Sequence, residues 1–196
     1  MFLLIGVVGS GIMAQRLSPT DVGLQLLQNA MATAGVLVAV ITIFGTISAD
    51  VNPAVTLGAW ALGHRAGREV GPMLVVQVSG GCVGTVVANL MFDLPPIVLS
   101  TTTRSAGHLW LGEAVATVGL LLVVFSLIRT GRSSILPYAV ASYIGAAYYF
   151  TSSTGFANPA VTVARTLSDT FTGIRPSSAP MFIGMQVVGV VIAVVL

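Results

Sequence analysis

Long apolar stretches alternate along the chain with short segments that hold nearly all of its charged residues. A helix needs about 20 residues, at ~1.5 Å each, to cross the hydrocarbon of a bilayer. The pattern therefore predicts six membrane-spanning helices, near Met1–Gln15, Val22–Phe44, Val70–Phe92, Leu109–Ile128, Ile135–Thr151 and Pro180–Leu196. The first stretch is short and starts without a cap, so we expect either a trimmed start or a truncated first helix.

The composition supports a protein embedded in lipid. Of the 196 residues, 55% are hydrophobic and only 7% are charged, whereas roughly a quarter of the residues of a soluble domain are charged. These values exclude a soluble globular domain, a disordered chain, a disulfide scaffold and a nucleic-acid binder. The predicted surroundings are the lipid bilayer. A lone cysteine, Cys82, excludes a cysteine-cluster metal site, and no metal or cofactor is predicted.

Two of the connections contain the same five residues. The sequence Asn-Pro-Ala-Val-Thr occurs within Gly45–Gly67 and again within Ser152–Ile174. Two predicted spans precede each copy and one follows it, which indicates an internal duplication of a three-helix unit. Because three is odd, the two halves are predicted to cross the membrane with opposite topology. The first half covers about residues 1–92 and the second about residues 109–196. Together they form a single channel domain, residues 1–196.

Each copy of the motif predicts a short helix that enters the membrane without crossing it. Asn is a favoured N-cap, and Pro is favoured at the position that follows. The connections hold too few apolar residues to cross and return, so a re-entrant half-helix fits, buried or lining a wet cavity. The residues expected at the centre of a pore are Asn52, Pro53, Ala54, Asn158, Pro159 and Ala160.

Half-helices that dip from opposite sides bring their N-termini together near the middle of the membrane. Each N-terminus carries about half a positive charge, so the pair repels cations and hydronium. The amides of Asn52 and Asn158 are then placed to donate hydrogen bonds to a passing solute. The arrangement predicts a passive path for small uncharged solutes.

With this duplicated motif, the whole chain resembles the major intrinsic protein family, the aquaporins and glycerol facilitators. The resemblance implies an all-α membrane fold, an aquaporin-like bundle of six transmembrane helices plus two re-entrant half-helices in an inverted repeat. It also implies cytoplasmic termini, a homotetramer with one pore per subunit, and a multi-pass location in the inner membrane of a bacterial cell. Exclusion of protons and cations by half-helix dipoles is the general mechanism of aquaporin-type pores.

The selectivity filter departs from the family pattern. The family normally places Arg directly after the second Asn-Pro-Ala, where this chain has Val161. Matching by spacing places the other three filter positions at Thr33, Ala146 and Gly155. A slip of one residue in the helix alignment would replace Thr33 by Ala32 or Ala146 by Ala147. Four small or uncharged side chains predict a wide filter that admits neutral solutes bulkier than water.

Arg165 complicates the filter. At ~100° per residue it lies near the same helix face as Asn158, about one turn farther from the midplane than Val161. It either returns a positive charge to the outer mouth of the pore, or it anchors a loop or faces lipid. Tyr148, Tyr149 and Phe150 are further candidates for the outer pore, with one or two of them facing lipid or neighbouring helices.

A narrower likeness points to a class of solute. Four runs, 146–150, 156–158, 169–171 and 173–176, resemble a bacterial branch of the family that is found with arsenic-resistance genes. That branch also carries Val in place of the filter Arg. The likeness implies passage of arsenite as neutral As(OH)3, with antimonite, glycerol or methylated arsenicals as further solutes. Thiol ligation of arsenic is excluded as a mechanism because Cys82 is alone.

Two acidic residues stand out. Glu113 lies within a predicted span, where a carboxylate is costly and is usually functional or paired. In the family such a Glu accepts hydrogen bonds from the backbone of the second re-entrant loop, and the alternative is a proton relay. Asp50 departs from the family pattern and shortens the first loop, so it either favours cations at the inner mouth or caps the half-helix.

Two other function classes remain open at this point. A secondary transporter also uses inverted repeats and broken helices, although Glu113 is the only ionisable residue that stands out within the spans. A non-conducting paralogue is the other alternative, suggested by the short first helix and the shortened first loop. An enzyme is not expected, since no nucleophile, base and orienting group occur together at the pore positions.

Overall fold

The structure is a computed structural model that describes residues 1–45 and 50–196. Residues 46–49, part of the predicted Gly45–Gly67 connection, lie outside the described residues. All regular secondary structure of the described residues is helical. In chain order the helices are α1 (Phe2–Leu17), α2 (Val22–Phe44), α3 (Pro53–Ala61), α4 (Gly67–Met91), α5 (Gly107–Arg129), α6 (Leu136–Phe150), α7 (Pro159–Ala164) and α8 (Ala179–Val195).

Six long helices lie where the apolar pattern predicts them, and two short ones follow the repeated motif. Three of the long helices, α2, α4 and α5, are long and apolar enough to cross a membrane, and so is α8 together with the turn before it, Pro176–Val195. The helices α1 and α6 have 16 and 15 residues, or about 24 and 22 Å at 1.5 Å each. Both are therefore shorter than the roughly 30 Å hydrocarbon core.

The order of packing repeats between the two halves of the chain. In the first half α1 packs against α2 and α4, and in the second half α5 packs in the same way against α6 and α8. The halves are joined by α2 against α6, by α3 against α8 and by α4 against α7. Each half-helix therefore contacts the last long helix of the opposite half, as an inverted repeat requires.

Small residues allow the long helices to approach closely. A Cβ on Gly189 of α8 would lie 2.7 Å from the Cβ of Thr117 and 2.9 Å from the carbonyl oxygen of Ala114, both in α5. Such contacts drive helix association in lipid, where the surrounding tails are as apolar as the side chains. Glycine at this position therefore sets the distance between α5 and α8.

Several polar side chains are buried inside the bundle beside its hydrophobic core, and many large apolar side chains are exposed on the outside. The fully buried polar side chains include Asn29, Thr56, Thr85, Asn89, Thr117, Thr162 and Gln186. Large exposed hydrophobic side chains include Met31, Val75, Val76, Leu111, Val191 and Val195. This arrangement suits a protein whose outer surface contacts lipid and whose interior binds polar backbone and solute groups.

Candidate functional site

The two Asn-Pro-Ala motifs start the two half-helices. Asn52 is the N-cap of α3, and its side-chain oxygen accepts a hydrogen bond from the Ala54 amide at 2.8 Å. Asn158 is the N-cap of α7 and accepts from the amides of Ala160 and Val161, at 3.0 and 3.2 Å. Pro53 and Pro159 are the first residues of the two helices, where the missing N–H is no loss.

The two caps also bind each other's loops. The Asn52 amide donates to the carbonyl of Ala157 at 2.8 Å, and the Asn158 amide donates to the carbonyl of Val51 at 3.1 Å. In each case the acceptor is the residue that precedes the opposite asparagine. These reciprocal hydrogen bonds bring the N-termini of α3 and α7 together in the middle of the bundle.

A cavity of about 290 Å³ is lined by both asparagines. We call it the pore cavity. Its wall includes Arg65, beyond the C-terminal end of α3, and Arg165, beyond the C-terminal end of α7. Because the half-helices point in opposite directions, these arginines mark opposite ends of the cavity, which we call the inner end (at Arg65) and the outer end (at Arg165) after the predicted orientation. Most of the wall between them is apolar, with Leu3, Val7, Leu37, Ile41, Val55, Leu120, Val124, Val140 and Ile144.

Three of the four filter residues predicted from spacing lie in the wall of the pore cavity, namely Thr33, Gly155 and Val161. The fourth, Ala146, is exposed and does not line it. Tyr148 lines the cavity from α6 in its place. The filter position on α6 is thus two residues later than spacing predicts. Two residues correspond to about 200° around a helix, so Tyr148 lies on nearly the opposite face from Ala146.

Ala32 and Ala147, the alternatives that a one-residue slip offers, do not line the pore cavity either. Ala32 is exposed, and Ala147 is buried behind Gly155, whose added Cβ would lie 2.8 Å from the Ala147 Cβ. The aromatic run after Ala147 was the signal for the residue that spacing missed. Within that run only Tyr148 is buried, while Tyr149 and Phe150 are exposed.

Tyr148 is held by a residue of the opposite half. Its hydroxyl lies 3.0 Å from the hydroxyl of Thr33 on α2. Both side chains are buried, so the pair forms a polar patch on an otherwise apolar wall. The patch lies in the same cavity as Val161, where the family normally has a guanidinium.

Glu113 holds the loop that leads into α7. One of its carboxylate oxygens accepts from the Phe156 amide at 2.9 Å, and the other accepts from the Ala157 amide at 3.0 Å. The second oxygen also accepts from the Gln186 side chain. Ala157 has a φ of +45°, a left-handed conformation that is uncommon for a residue with a side chain. The carboxylate thus stabilises a strained backbone that turns the Ala157 carbonyl toward Asn52.

The first loop is held differently. Gln77 of α4 donates to the backbone carbonyl of Asp50 and, at 2.9 Å, to the hydroxyl of Thr56. The carboxylate of Asp50 forms an ion pair with Arg65 at 2.7 Å. Arg65 also contacts Glu69 at 3.1 Å. The acidic residue singled out in the shortened loop therefore lies beside a positive charge at the inner end of the pore cavity.

Two further arginines lie near the outer end. Arg165 is 2% exposed and lines the pore cavity, so it does not face lipid. Arg104, in the connection before α5, is also buried. Burial lowers the pKa of Arg104, and the charge of Glu113 opposes that shift. Both guanidinium groups approach the ring of Phe156, with their Cζ atoms 5.0 Å (Arg104) and 3.8 Å (Arg165) from its centroid.

Comparison with known proteins decides the family. Residues 1–152 match the family model described as "Major intrinsic protein" (MIP). The chain belongs to the major intrinsic protein family. It is 44% identical over 195 residues to aquaglyceroporin AqpS from Rhizobium meliloti (strain 1021), covering 99% of this chain and 83% of the relative.

Two other similar proteins bear on the fold of this MIP protein. The probable aquaporin AqpM from Archaeoglobus fulgidus is 30% identical over 178 residues, which cover 83% of this chain and 72% of AqpM. The X-ray structure of the aquaglyceroporin from Plasmodium falciparum superposes with a TM-score of 0.69, covering 98% of this chain and 89% of that chain. At 19% identity the second likeness shows the fold alone.

Together these findings confirm the aquaporin-like helical fold that the repeated motif predicts. The protein is a multi-pass transmembrane channel of the MIP family, and not an enzyme. Function in this fold depends on the pore-lining side chains rather than on the bundle itself. The solute must therefore be argued from the pore cavity.

Proposed function

We propose that the channel passively conducts small uncharged solutes, with arsenite and antimonite as neutral hydroxides and polyols such as glycerol ahead of water alone. The observation that carries the proposal is Val161 in the wall of the pore cavity, at the position where the family places a guanidinium. Val161 and Gly155 take up less of the cavity than a guanidinium would at the first of these positions, which supports passage of solutes bulkier than water.

The centre of the pore supports the exclusion of ions. Each asparagine amide has two N–H donors, and each uses one on the opposite loop carbonyl. The second N–H of Asn52 and of Asn158 is left for a solute oxygen. Since two helix N-termini also face this point, a neutral hydroxyl-bearing solute is favoured there over a cation.

The comparisons support solutes of glycerol size. The relative with 44% identity is named an aquaglyceroporin. The likeness of runs 146–150 and 156–158 to a branch found with arsenic-resistance genes adds arsenite, a neutral trihydroxide at physiological pH. A polyol and a trihydroxide present similar arrays of hydroxyl groups, so one pore lined by the same polar groups suits both.

The assembly and location are proposed on the same basis. We propose a homotetramer with one pore per subunit, in the inner membrane of a bacterial cell and with both termini in the cytoplasm. The exposed apolar side chains of α4, such as Val75 and Val76, suit contact with lipid or a second subunit. Light scattering of the detergent-solubilised protein tests the assembly, since a protein mass near the 20.1 kDa of one chain would exclude the tetramer.

Comparative flux in one vesicle preparation tests the proposed function. Water, glycerol and arsenite uptake are measured in proteoliposomes under a solute gradient, with empty vesicles as the baseline. We expect the flux of glycerol and arsenite to rise with solute concentration without saturating and to need no coupled ion. Flux of neither solute above the baseline would contradict the proposal and, with unstable tetramers, would favour a non-conducting paralogue. Saturable uptake abolished by collapsing a proton gradient would favour a transporter.

The first prediction concerns Val161→Arg, which adds the guanidinium that the family normally has. The longer side chain narrows the outer part of the cavity, so flux of glycerol and arsenite should fall by more than water flux. Val161→Leu is the matched control, since it adds bulk without charge and should have a smaller effect. Stopped-flow light scattering measures both fluxes. Equal loss of water and glycerol flux in the Arg variant would show that Val161 is not a filter residue.

A further inference from the structure

Two arginines contact the ring of Phe156, and their surroundings differ. Arg104 donates three hydrogen bonds to backbone carbonyls, those of Gly173, Phe171 and Ser153, at 2.8, 3.1 and 3.2 Å. Every nitrogen of its guanidinium is therefore bound to the protein. Arg104 holds the outer loops together and has little capacity left for a ligand.

Arg165 has no such partners. Among residues 1–45 and 50–196, no acceptor or carboxylate contacts its side chain, and its Nε is buried without a hydrogen bond. A guanidinium has five N–H donors, and burying them without acceptors costs free energy. The ring of Phe156 stabilises the face of the group by a cation–π contact, but it leaves the N–H edge unpaired.

Among the described residues, no nearby carboxylate accepts a hydrogen bond from these N–H groups. Both oxygens of Glu113 already accept hydrogen bonds, from the amides of Phe156 and Ala157 and from the Gln186 side chain. The ion pairs of the described chain lie at the other end of the cavity, where Arg65 contacts Asp50 and Glu69. The Nη groups of Arg165 are therefore available to the contents of the cavities that it lines, whereas its Nε is buried in the protein.

Arg165 lies between two cavities. It lines the pore cavity and also a second cavity of about 200 Å³, which we call the outer cavity, and Tyr148 lines both. The hydroxyls of Tyr148 and Thr33 share one hydrogen across 3.0 Å, so the other hydroxyl hydrogen can be donated elsewhere. A solute passing this point meets a charged planar donor and two hydroxyls that can donate or accept.

We propose that Arg165, with Tyr148 and Thr33, forms a binding site for the oxygen atoms of small solutes, one helical turn outward of Val161. The site takes neutral hydroxides and polyols, and small oxyanions compete for it because they present the same oxygen acceptors to a positive charge. This inference rests on the proposed function for its transported solutes, but its binding chemistry is tested without flux. In this site Arg165 donates the hydrogen bonds that select the solute, and the residue that follows the second Asn-Pro-Ala does not.

The chemistry of the group supports this assignment. Hydrogen bonds from a guanidinium to an oxygen acceptor are charge-assisted, and the planar fork can bind two oxygens at once. Phe156 limits the rotation of that fork, and its own amide is bound to Glu113, so the donor is pre-oriented. An oriented donor binds with a smaller loss of conformational entropy than a mobile one.

Thermal unfolding of the detergent-solubilised protein in a formate titration tests the site. Formate is a planar oxyanion that matches the guanidinium fork, and a ligand that binds only the folded protein raises its unfolding temperature. Wild-type protein should show a formate-dependent rise, beyond that given by chloride at equal ionic strength. Arg165→Met and Arg165→Gln, which both remove the charge, should weaken the apparent affinity by about tenfold or more, as expected for one charge-assisted hydrogen bond.

The controls separate this site from general effects of charge. Arg175→Met removes an exposed arginine and should leave the formate response unchanged. If only one of the two Arg165 variants folds, that variant suffices, because both remove the positive charge of the guanidinium. A wild-type protein that does not respond to formate, or an Arg165 variant with the wild-type response, would overturn the binding site.

A flux measurement on the same proteins separates this inference from the proposed function. External formate should reduce glycerol flux through the wild-type channel, and it should not reduce the residual flux of Arg165→Met. A wild-type protein that responds to formate in unfolding but conducts no glycerol or arsenite contradicts the proposed function and keeps the site. Glycerol flux that formate leaves unchanged in the wild type overturns the site and keeps the channel.

Discussion

The two half-helices begin with the same five residues, yet different side chains hold them in place. The loop before α7 is held by a buried carboxylate, Glu113, which accepts from two consecutive backbone amides. The loop before α3 is held by the amide of Gln77, and an ion pair between Asp50 and Arg65 lies beside it. Among the described residues, a buried charge therefore holds the second loop, while the contacts of the first include a neutral amide and a partly exposed ion pair.

This difference shows that a repeated motif and its support are separate features. Asn-Pro-Ala sets the start of each half-helix through local hydrogen bonds to the first amides of the helix. The surrounding loop is positioned by residues far away in the chain, and these have diverged between the halves. One pair of equivalent supports remains, because Gln77 contacts Thr56 and Gln186 contacts Thr162 in the same way.

The largest difference between the halves should come from Glu113→Gln. The variant replaces one acceptor oxygen with a donor that faces a buried N–H, so we expect a loss of about 3 kcal/mol of stability in detergent. The counterpart in the first half, Gln77→Leu, removes neutral hydrogen bonds and should cost only about 1 kcal/mol. Thermal unfolding of both variants measures the difference. A cost for Gln77→Leu that equals or exceeds that of Glu113→Gln contradicts the unequal support.

The central asparagines should show a smaller difference. Asn158 accepts from two helix amides and Asn52 accepts from one, and each donates to the opposite loop. Loss of the cap and of one hydrogen bond predicts about 2 kcal/mol for either Asn→Ala variant. Asn158→Ala should be the costlier of the two by a few tenths of a kcal/mol. The comparison uses unfolding of both variants in one detergent, and the reverse order would contradict it.

The smallest effect is expected at the inner end of the pore cavity. Arg65→Gln removes the ion pairs with Asp50 and Glu69, but the side chains involved are 15 to 47% exposed. Partly exposed pairs contribute less than about 1 kcal/mol and are screened by salt. Arg68→Gln, at an exposed neighbour, is the control and should cost nothing measurable. A loss of stability in Arg65→Gln that does not shrink between low and high NaCl would show that the pair is not screened.

Much of the pore could be predicted from local sequence, and the errors have a physical cause. Val161 follows the motif directly, so its position in the wall depends only on the geometry of one helix turn. Ala146 belongs to α6, which no motif anchors, and a register error of two residues there reverses the face. Tyr148 was found only as one of three adjacent aromatic candidates, because an aromatic side chain suits lipid as well as a pore.

Arg165 shows the same limit for charge. Its spacing from Asn158 predicts the face of the helix, but an arginine on that face can bind a loop, face lipid or line a pore. The choice depends on Phe156, which lies nine positions before it and contacts the guanidinium at 3.8 Å. It depends equally on Arg104, which occupies the loop carbonyls that Arg165 could otherwise have bound.

Properties that arise from neighbouring residues in the chain were therefore accessible from the amino-acid order alone: six apolar spans, two capped half-helices, an inverted repeat and a valine after the second motif. These features depend on hydrophobic length, helix capping and an odd number of crossings. Which side chains meet across the bundle depended on the packed structure, as with Tyr148 and Thr33 or with Glu113 and the Ala157 amide. Contacts between residues distant in the chain depend on the rotation and separation of whole helices, which close packing sets.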